Sequence, residues 1–464
     1  MAKAYRFAEE KHREKKRKTG EPYFNHCLAT ATQLAKWGLD EETIVAGLLH
    51  DVLEDTETEP EEMRREFGEK ITKLVEGVSK IGKVKYRGEE AQAELLRKMI
   101  LSLTGDVRTV MIKMADRLHN MKTLSALPPT KQKRIALETA EIYAPLAYRL
   151  GMKQLSGDFQ DLAFPFIEPR AYENVLELVE KHYGRRERYL EKVKPIIEEA
   201  LALNEITDFE INFRAKRYYS LYKKLKKYNM EIENIYDLVA FRIIVPNIEN
   251  CYATLGIIHS LWPPLAGRIK DYIAAPKPNG YQSLHTTVFC LDGKMTEFQI
   301  RTREMHEEAE NGIAAHWIYK RGEKENGRFK SLDQFAKEAE WVKKVRSWQE
   351  AEGAEEFIRA AKVDFFKERI YAITPKGEVI DLPEGATPID FAYKVHSLLG
   401  HESTGARVNG KITPLNSELN SGDIVEILRQ KGKKPSPDWL NFVVTEGAKD
   451  KIRQEMNRKR RRSL

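Results

Sequence analysis

Residues 48–56 read LLHDVLEDT. On a helix this spacing sets His50 one turn before Glu54 and Asp51 one turn before Asp55, so an imidazole and three carboxylates occupy two neighbouring faces. Such a cluster can bind a metal and manage protons. The flanking sequence supports the helix: HCLATATQLAKWGL (26–39), EETIVAGLLHDVLED (41–55) and ELLRKMILSL (94–103) are amphipathic, and TGEP, LPP and FIEP punctuate them. From Lys3 to about Lys194 the pattern is almost entirely helical. A second helical stretch, MADRLHNM (114–121), places Asp116 and Asn120 on one face. His26, His50, Asp51 and Asp116 therefore form a mixed nitrogen and oxygen donor set, which suits manganese, iron or zinc better than magnesium or calcium. A divalent ion held there lowers the pKa of a bound water from 15.7 to about 7, with Glu54 or Asp55 placed to orient it or to shuttle a proton. A His-Asp dipeptide alone is more often a solvated or capping pair, and it is the constellation that carries the reading.

After Asn204 the texture changes. Short β-rich runs, DLVAFRIIVP (237–246), LHTTVFCL (284–291) and MTEFQIRT (295–302), alternate with helical pieces such as CYATLGIIHSLW (251–262), which predicts a mixed α/β domain. Strand alternation puts Glu297, Gln299 and Arg301 on one face and Phe298 and Ile300 on the other. Asp237 and Glu297, from two strands, offer one carboxylate each to a shared site, a common way to hold Mg²⁺ on nucleotide phosphates. FRAKRYYSLYKKLKKYN (213–229) interleaves cations with aromatics, which suits polyphosphate neutralisation with base stacking, although a solvated basic helix face reads the same way. In GRIKDYIAAPKPNGYQSLHTTV (267–288), Arg268, Lys270 and Lys277 are phosphate donors, Asn279-Gly280 makes a tight turn, and Tyr281 is placed to stack on a purine.

A charged helical stretch (331–352) leads to RIYAITPKGEVIDLPEGATPIDFAYKVH (369–396) and GARVNGKITPLNSELNSGDIVEIL (405–428). Pro-Lys-Gly and Asn-Gly hairpin signals with a single helix predict a small β-rich module ending near Leu428. The chain closes on a basic helical segment, RQEMNRKRRRSL, which suits RNA phosphates or plain solvation. With 464 residues the chain is long enough for about three domains. Three scattered cysteines, Cys27, Cys251 and Cys290, without a CxxC pair indicate neither a disulfide framework nor a thiolate zinc site. No apolar run approaches the roughly 20 residues that span a bilayer, and the first residues lack a secretory apolar core, so a cytoplasmic location without membrane attachment is expected. The net charge of +7 is compatible with RNA or phosphorylated substrates and is weak evidence for either.

The strings RKTGEPYFNH (17–26), His50-Asp51, Glu54-Asp55 and DRLHN (116–120) resemble the HD phosphohydrolases, and specifically the hydrolase domain of the RelA/SpoT homologues. RxK…YS (Arg214, Lys216, Tyr219, Ser220), DYIAAPKPNGYQSLHT, EFQIRT and EMHEEAENGIAAHW are similar to the pyrophosphokinase domain of the same family, and residues 368–428 resemble a TGS domain. The resemblance implies a multidomain α+β protein. Residues 1–150 are an all-α HD-type hydrolase domain, 151–195 connecting helices and 196–345 a mixed α/β nucleotidyltransferase-like synthetase domain. A helical linker follows at 346–365, a β-grasp-like TGS domain at 366–430 and the start of a basic helical region at 431–464. It implies an enzyme of the stringent response that moves pyrophosphate from ATP to the 3′-hydroxyl of GDP or GTP and hydrolyses the product, (p)ppGpp. It implies Mn²⁺ on His26, His50, Asp51 and Asp116, with Arg17 and Lys18 on the nucleotide, Asn120 and Thr123 lining its pocket, and Glu54 and Asp55 needed for hydrolysis. In the synthetase it implies Tyr281 on the guanine and Arg214 on the adenine. Asp237 and Glu297 then serve Mg²⁺ binding and activation of the acceptor, and Lys216, Ser220, Lys270, Lys277, Asn279 and His285 surround the phosphates. His396 of the TGS domain would approach uncharged tRNA on the ribosome.

Two positions depart from the family pattern. Cys27 stands where proline is frequent, and Arg217 where histidine is frequent, which leaves one phosphate contact open. Arg268-x-Lys270-Asp271 resembles the version found in bifunctional members. Long members continue into further helical, cysteine-containing and ligand-sensing regions, so the chain reads as a catalytic half. Three competing readings are a synthetase whose helical domain is only a scaffold, an RNA-binding regulator with vestigial catalysis, and an RNA end-processing enzyme.

Overall fold

The structure is a computed structural model, and it describes residues 1–82, 94–99, 102, 105–227, 239–277, 280–312, 369–420 and 422–462. The expected helix over 331–352 lies outside the described residues, as do Asp237 and Asn279. Two compact units are present, one made of Met1–Arg87 and Glu94–Ala339, the other of Gly88–Ala93 and Glu340–Leu464.

The first unit opens with helices α1 (Ala2–Lys11), α2 (Phe24–Lys36), α3 (Glu41–Leu49), α4 (Val52–Asp55), α5 (Pro60–Gly82), α6 (Val107–Lys122), α7 (Pro129–Glu138) and α8 (Ala144–Arg149). Aspartate side chains cap the starts of α3 and α6. Asp40 accepts from the Thr43 N–H at 2.8 Å ahead of α3, and Asp106 accepts from the Arg108 N–H at 3.0 Å ahead of α6. Apolar stripes of α2, α3, α5 and α6, including Leu34, Leu49, Val75 and Met111, are buried. The LLHDVLEDT stretch differs from the single helix expected. α3 ends at Leu49, and His50 and Asp51 form a turn before α4. The Asp55 N–H still donates to the Asp51 carbonyl at 2.8 Å, so those two residues keep their one-turn spacing.

Helices α9 (Lys153–Ile167) and α10 (Pro169–Leu203) lead into a five-stranded sheet of order β1-β2-β5-β4-β3. Its strands are β1 (Glu210–Ala215), β2 (Val239–Val245), β3 (Lys270–Asp271), β4 (Leu284–Phe289) and β5 (Met295–Thr302). Only β2 and β5 pair in parallel. One face carries Phe241, Ile243, Phe298 and Ile300, packed against Leu190, Val193, Ile197 and Leu201 of α10 in a single core. The period-2 prediction for β5 holds, and Glu297, Gln299 and Arg301 are left on the opposite face. Helix α11 (Tyr218–Lys227) follows β1, α12 (Ile248–Leu261) follows β2, and α13 (Arg303–Asn311) follows β5. At the end of α13, Gly312 has φ of +55°, and a Cβ there would lie 2.4 Å from the Gly151 carbonyl carbon. Only glycine allows the chain after α13 to approach the turn before α9 so closely.

In the second unit, β6 (Arg369–Ile373) and β7 (Val379–Pro383) form one hairpin, and β8 (Ser403–Val408), β9 (Lys411–Thr413) and β10 (Val425–Arg429) form a sheet of order β10-β8-β9. The Asn409-Gly410 turn between β8 and β9 has φ of +52° and +79°, as the hairpin signal requires. The single helix expected is two, α14 (Pro388–Val395) and α15 (Ser397–His401). They are split where His396 takes an extended backbone and its Nδ1 accepts from the Leu398 N–H at 3.2 Å. Residues beyond Leu428 are packed onto this unit: Trp439, Val443 and Ile452, the last on α16 (Glu446–Arg462), share a core with Ile389 and Tyr393. Buried Asp390 accepts from the backbone N–H groups of Val444 and Thr445. Among the described residues no helix is long and apolar enough to cross a membrane.

Candidate functional sites

Helices α2, α3 and α6 converge on one point. His26 comes from α2, His50 and Asp51 from the turn after α3, and one ligand atom from each lies within 4.8 Å of the others. The His26 Nε2 is 3.4 Å from Asp51 Oδ2 and 3.2 Å from Asp116 Oδ1, while the His50 Nε2 is 3.0 Å from Asp51 Oδ2 and 4.0 Å from Asp116 Oδ1. The His50 Nδ1–H donates to the Gly47 carbonyl at 2.8 Å, which turns its buried Nε2 toward Asp51 and Asp116 as the nitrogen available to a cation. Burial disfavours a charged His50, yet the charge and hydrogen bond of Asp51, the charge of Asp116 and the Gly47 carbonyl together hold the pKa up to about 9. Burial likewise opposes ionisation of Asp51, but His50 and His26 keep its pKa well below the usual range. Buried Asp116 and half-buried Asp51, facing two imidazole nitrogens, make a donor set that fits a divalent cation.

The surroundings hold these ligands in place. The Tyr23 hydroxyl donates to Asp51 Oδ2 at 2.9 Å, and buried Lys113 Nζ pairs with Asp116 Oδ2 at 2.8 Å. Asn120, one turn after Asp116, donates to Asp116 Oδ1 and accepts from the Arg17 guanidinium at 2.6 Å. A second Arg17 nitrogen meets His119 Nδ1 at 3.2 Å, and His119 Nδ1 meets His26 Nδ1 at 2.9 Å. Burial, then the charges of His26 and Arg17, lower His119 to about 4. Beside the cluster opens a cavity of about 480 Å³ lined by Arg17, Lys18, Tyr23, Asp116, Asn120 and Thr123 among others. The expected nucleotide residues are therefore brought together next to the metal ligands. Glu54 and Asp55 stand on α4, and desolvation raises the Glu54 carboxyl. Lys113, Tyr23 and His119 did not stand out in the sequence, although Lys113 and His119 each lie three residues from Asp116, on its helix face.

The second site is the open face of the five-stranded sheet. In register across it stand Lys270, His285, Gln299 and Arg242, with Glu297 opposite Thr287. Glu297 Oε1 accepts from Gln299 at 2.9 Å and lies 3.5 Å from His285 Nδ1, while Gln299 Oε1 accepts from Arg214 at 3.1 Å. The His285 Nε2 and the Tyr281 hydroxyl are 2.8 Å apart. Burial lowers the His285 pKa, against Glu297, which raises it. Asn279 of the turn expected before Tyr281 lies outside the described residues; Gly280, with φ of +74°, donates its N–H to the Lys277 carbonyl at 2.8 Å. Lys216 and Ser220 lie at the passage from β1 into α11. Arg217 at that passage is committed to α9, donating to Asp158 at 2.7 Å and to the Gln154 carbonyl at 2.9 Å. Tyr281 is not open to solvent. It is 5% exposed, and Lys153 Nζ of α9 sits 3.0 Å from its ring centroid. Burial, then Lys277, Arg214 and Arg301, lower the Lys153 pKa well below its usual value.

Comparison with known proteins follows the same division. The HD domain family model matches residues 4–153, the model described as a region found in RelA/SpoT proteins matches 213–324, and the TGS domain model matches 370–429. The chain is 48% identical over 463 residues to the guanosine-3′,5′-bis(diphosphate) 3′-pyrophosphohydrolase of Aquifex aeolicus, an alignment covering 99% of this chain and 65% of that protein. It is 46% identical to the GTP pyrophosphokinase of Streptomyces coelicolor (99% and 56% covered) and 44% identical to the bifunctional (p)ppGpp synthase/hydrolase SpoT of Escherichia coli (98% and 64% covered). The chain thus spans less than two thirds of the length of these curated relatives. The chain carries the HD, RelA/SpoT and TGS domains in this order and is 44–48% identical over nearly its whole length to RelA/SpoT-type proteins.

Proposed function

We propose that the chain is a bifunctional alarmone enzyme, making (p)ppGpp from ATP and GDP or GTP on the sheet face and hydrolysing it to GDP or GTP and pyrophosphate at the helical site. The observation that carries the reading is the convergence of His26, His50 and Asp51 beside a cavity lined by Arg17, Lys18, Asn120 and Thr123. At the helical site these three ligands and Asp116 would hold Mn²⁺, which would supply an activated water and neutralise phosphate charge. Arg17 and Lys18 grip the nucleotide, Asn120 and Thr123 border it, and Glu54 or Asp55 moves the proton of the attacking water.

In synthesis the acceptor 3′-oxygen attacks the β-phosphorus of ATP. Its proton passes to Glu297, the bond from the β-phosphorus to the bridging oxygen breaks, and AMP leaves. Positioning and charge neutralisation dominate such a step. Asp237 and Glu297 would hold Mg²⁺, which would neutralise the nucleotide phosphates, and Arg214 packs on the adenine. Lys216, Ser220, Lys270, Lys277, Asn279 and His285 bind phosphates, and Tyr281 stacks on the guanine. The two sites are coupled through α9, whose Lys153 covers the Tyr281 ring. His396, exposed between α14 and α15, faces an RNA partner, uncharged tRNA on the ribosome. The test is a pair of single changes. Asp51→Ala abolishes hydrolysis and spares synthesis, and Glu297→Gln does the reverse. A folded variant losing both activities equally overturns the two-site reading.

A further inference from the structure

The hydrogen bonds around His119 fix where the protons sit. Arg17 donates to His119 Nδ1 at 3.2 Å, and a guanidinium has no acceptor to offer. The His119 Nδ1 must therefore carry the lone pair, and the ring is neutral with its proton on Nε2. The same Nδ1 lies 2.9 Å from His26 Nδ1. Two ring nitrogens this close share one proton, and since His119 has none at that atom, His26 supplies it. His26 Nδ1 therefore carries a proton, and its Nε2, 3.2 Å from Asp116 Oδ1 and 3.4 Å from Asp51 Oδ2, is the nitrogen whose lone pair a bound cation would take. A lone pair facing two carboxylates is repulsive unless a cation stands between them.

We infer that His119 is the positioning residue that sets the His26 tautomer for metal binding, with Arg17 locking His119 in turn. His50 reaches the same end by a backbone route, donating Nδ1–H to the Gly47 carbonyl. His26 lies inside α2, where the carbonyls are engaged in the helix ladder, so a side-chain acceptor from α6 takes that part. His119 suits the task by position: it is three residues past Asp116, so the helix that brings one ligand also brings the group that orients another. The chain Arg17–His119–His26 also ties a cation lining the nucleotide cavity to a metal ligand. Nothing in this chain of contacts supplies a group to the substrate at His119 itself.

The inference rests on the metal reading of the helical site, and the experiment separates the two. Mn²⁺ binding to the full chain is titrated by the loss of free Mn²⁺ signal in electron paramagnetic resonance, for the parent, His119→Gln and His119→Leu. Removing a partner that orients a metal-binding histidine weakens affinity about 10–100-fold. His119→Leu has no acceptor and is expected to lose affinity in that range. His119→Gln keeps an acceptor in its side-chain carbonyl and is expected to stay within a few-fold of the parent. Unfolding midpoints measured with EDTA establish that both variants are folded. Should His119→Leu be unfolded, His119→Ala and His119→Gln carry the same comparison. Equal Mn²⁺ affinity in the acceptor-less variant and the parent overturns the role of His119, as does equal weakening in His119→Gln and His119→Leu. Failure of the parent to bind Mn²⁺ overturns the metal reading itself.

Discussion

The contact between Lys153 and Tyr281 makes a quantitative prediction about acceptor binding. A guanine can stack on Tyr281 only after Lys153 Nζ, 3.0 Å from the ring centroid, has moved away. A desolvated cation over an aromatic face contributes about 2 kcal/mol, and stacking of a base contributes about 1–3 kcal/mol. The two nearly cancel, so as it stands the ring offers little net affinity. Lys153→Met keeps an unbranched apolar side chain without the charge, and returning about 2 kcal/mol tightens GDP binding by about 25-fold. Burial and the neighbouring cations lower the Lys153 pKa, so rising pH neutralises the amine, loosens its hold, and narrows the gap between the two proteins. The assay is calorimetric titration of GDP into both proteins at pH 7 and over a rising pH series. Equal or weaker GDP binding by Lys153→Met at pH 7 refutes the argument and makes Lys153 a substrate contact.

Other expectations concern stability and the metal centre. Gly312→Ala forces a Cβ to 2.4 Å from the Gly151 carbonyl carbon at positive φ, and urea denaturation should register a loss of about 1–3 kcal/mol. A cost below about 0.5 kcal/mol would mean that this approach is loose. Asp390→Ala leaves the Val444 and Thr445 N–H groups without their acceptor. Thermal unfolding should show the TGS unit destabilised by about 1–3 kcal/mol, and an unchanged midpoint would contradict the buried role of Asp390. Lys113→Met leaves the charge of Asp116 unpaired in a buried site, which should cost about 3–5 kcal/mol in EDTA. Added Mn²⁺ should recover part of that loss, whereas equal loss with and without Mn²⁺ would place the metal elsewhere.

Much of this was legible where local rules carry the information. The period-2 alternation of MTEFQIRT placed Glu297, Gln299 and Arg301 on the open face because the other face needed Phe298 and Ile300 for the core. The His and Asp spacing in LLHDVLEDT pointed to a cluster, but not to the turn at His50 and Asp51. Both residues keep right-handed helical dihedrals there, so the break lies in the hydrogen-bond ladder between the two helices and no residue type in the stretch announces it. The role of His119 was hidden because it depends on a proton's position across two helices. The cover on Tyr281 was hidden because Lys153 belongs to a helix read as a connector. In the TGS unit the hairpin turns were plain from Pro-Lys-Gly and Asn-Gly. The attachment of residues beyond Leu428 depends on long-range hydrogen bonds to Asp390, which no local pattern reveals.

The central claim is that one chain holds two working sites of opposite direction. The direct measurement is nucleotide chromatography of the purified protein in two reactions, ATP with GDP or GTP and Mg²⁺, and ppGpp with Mn²⁺. The account predicts (p)ppGpp and AMP in the first and GDP with pyrophosphate in the second. Synthesis without hydrolysis would reduce the His26, His50 and Asp51 cluster to a scaffold, and turnover in neither would contradict the account.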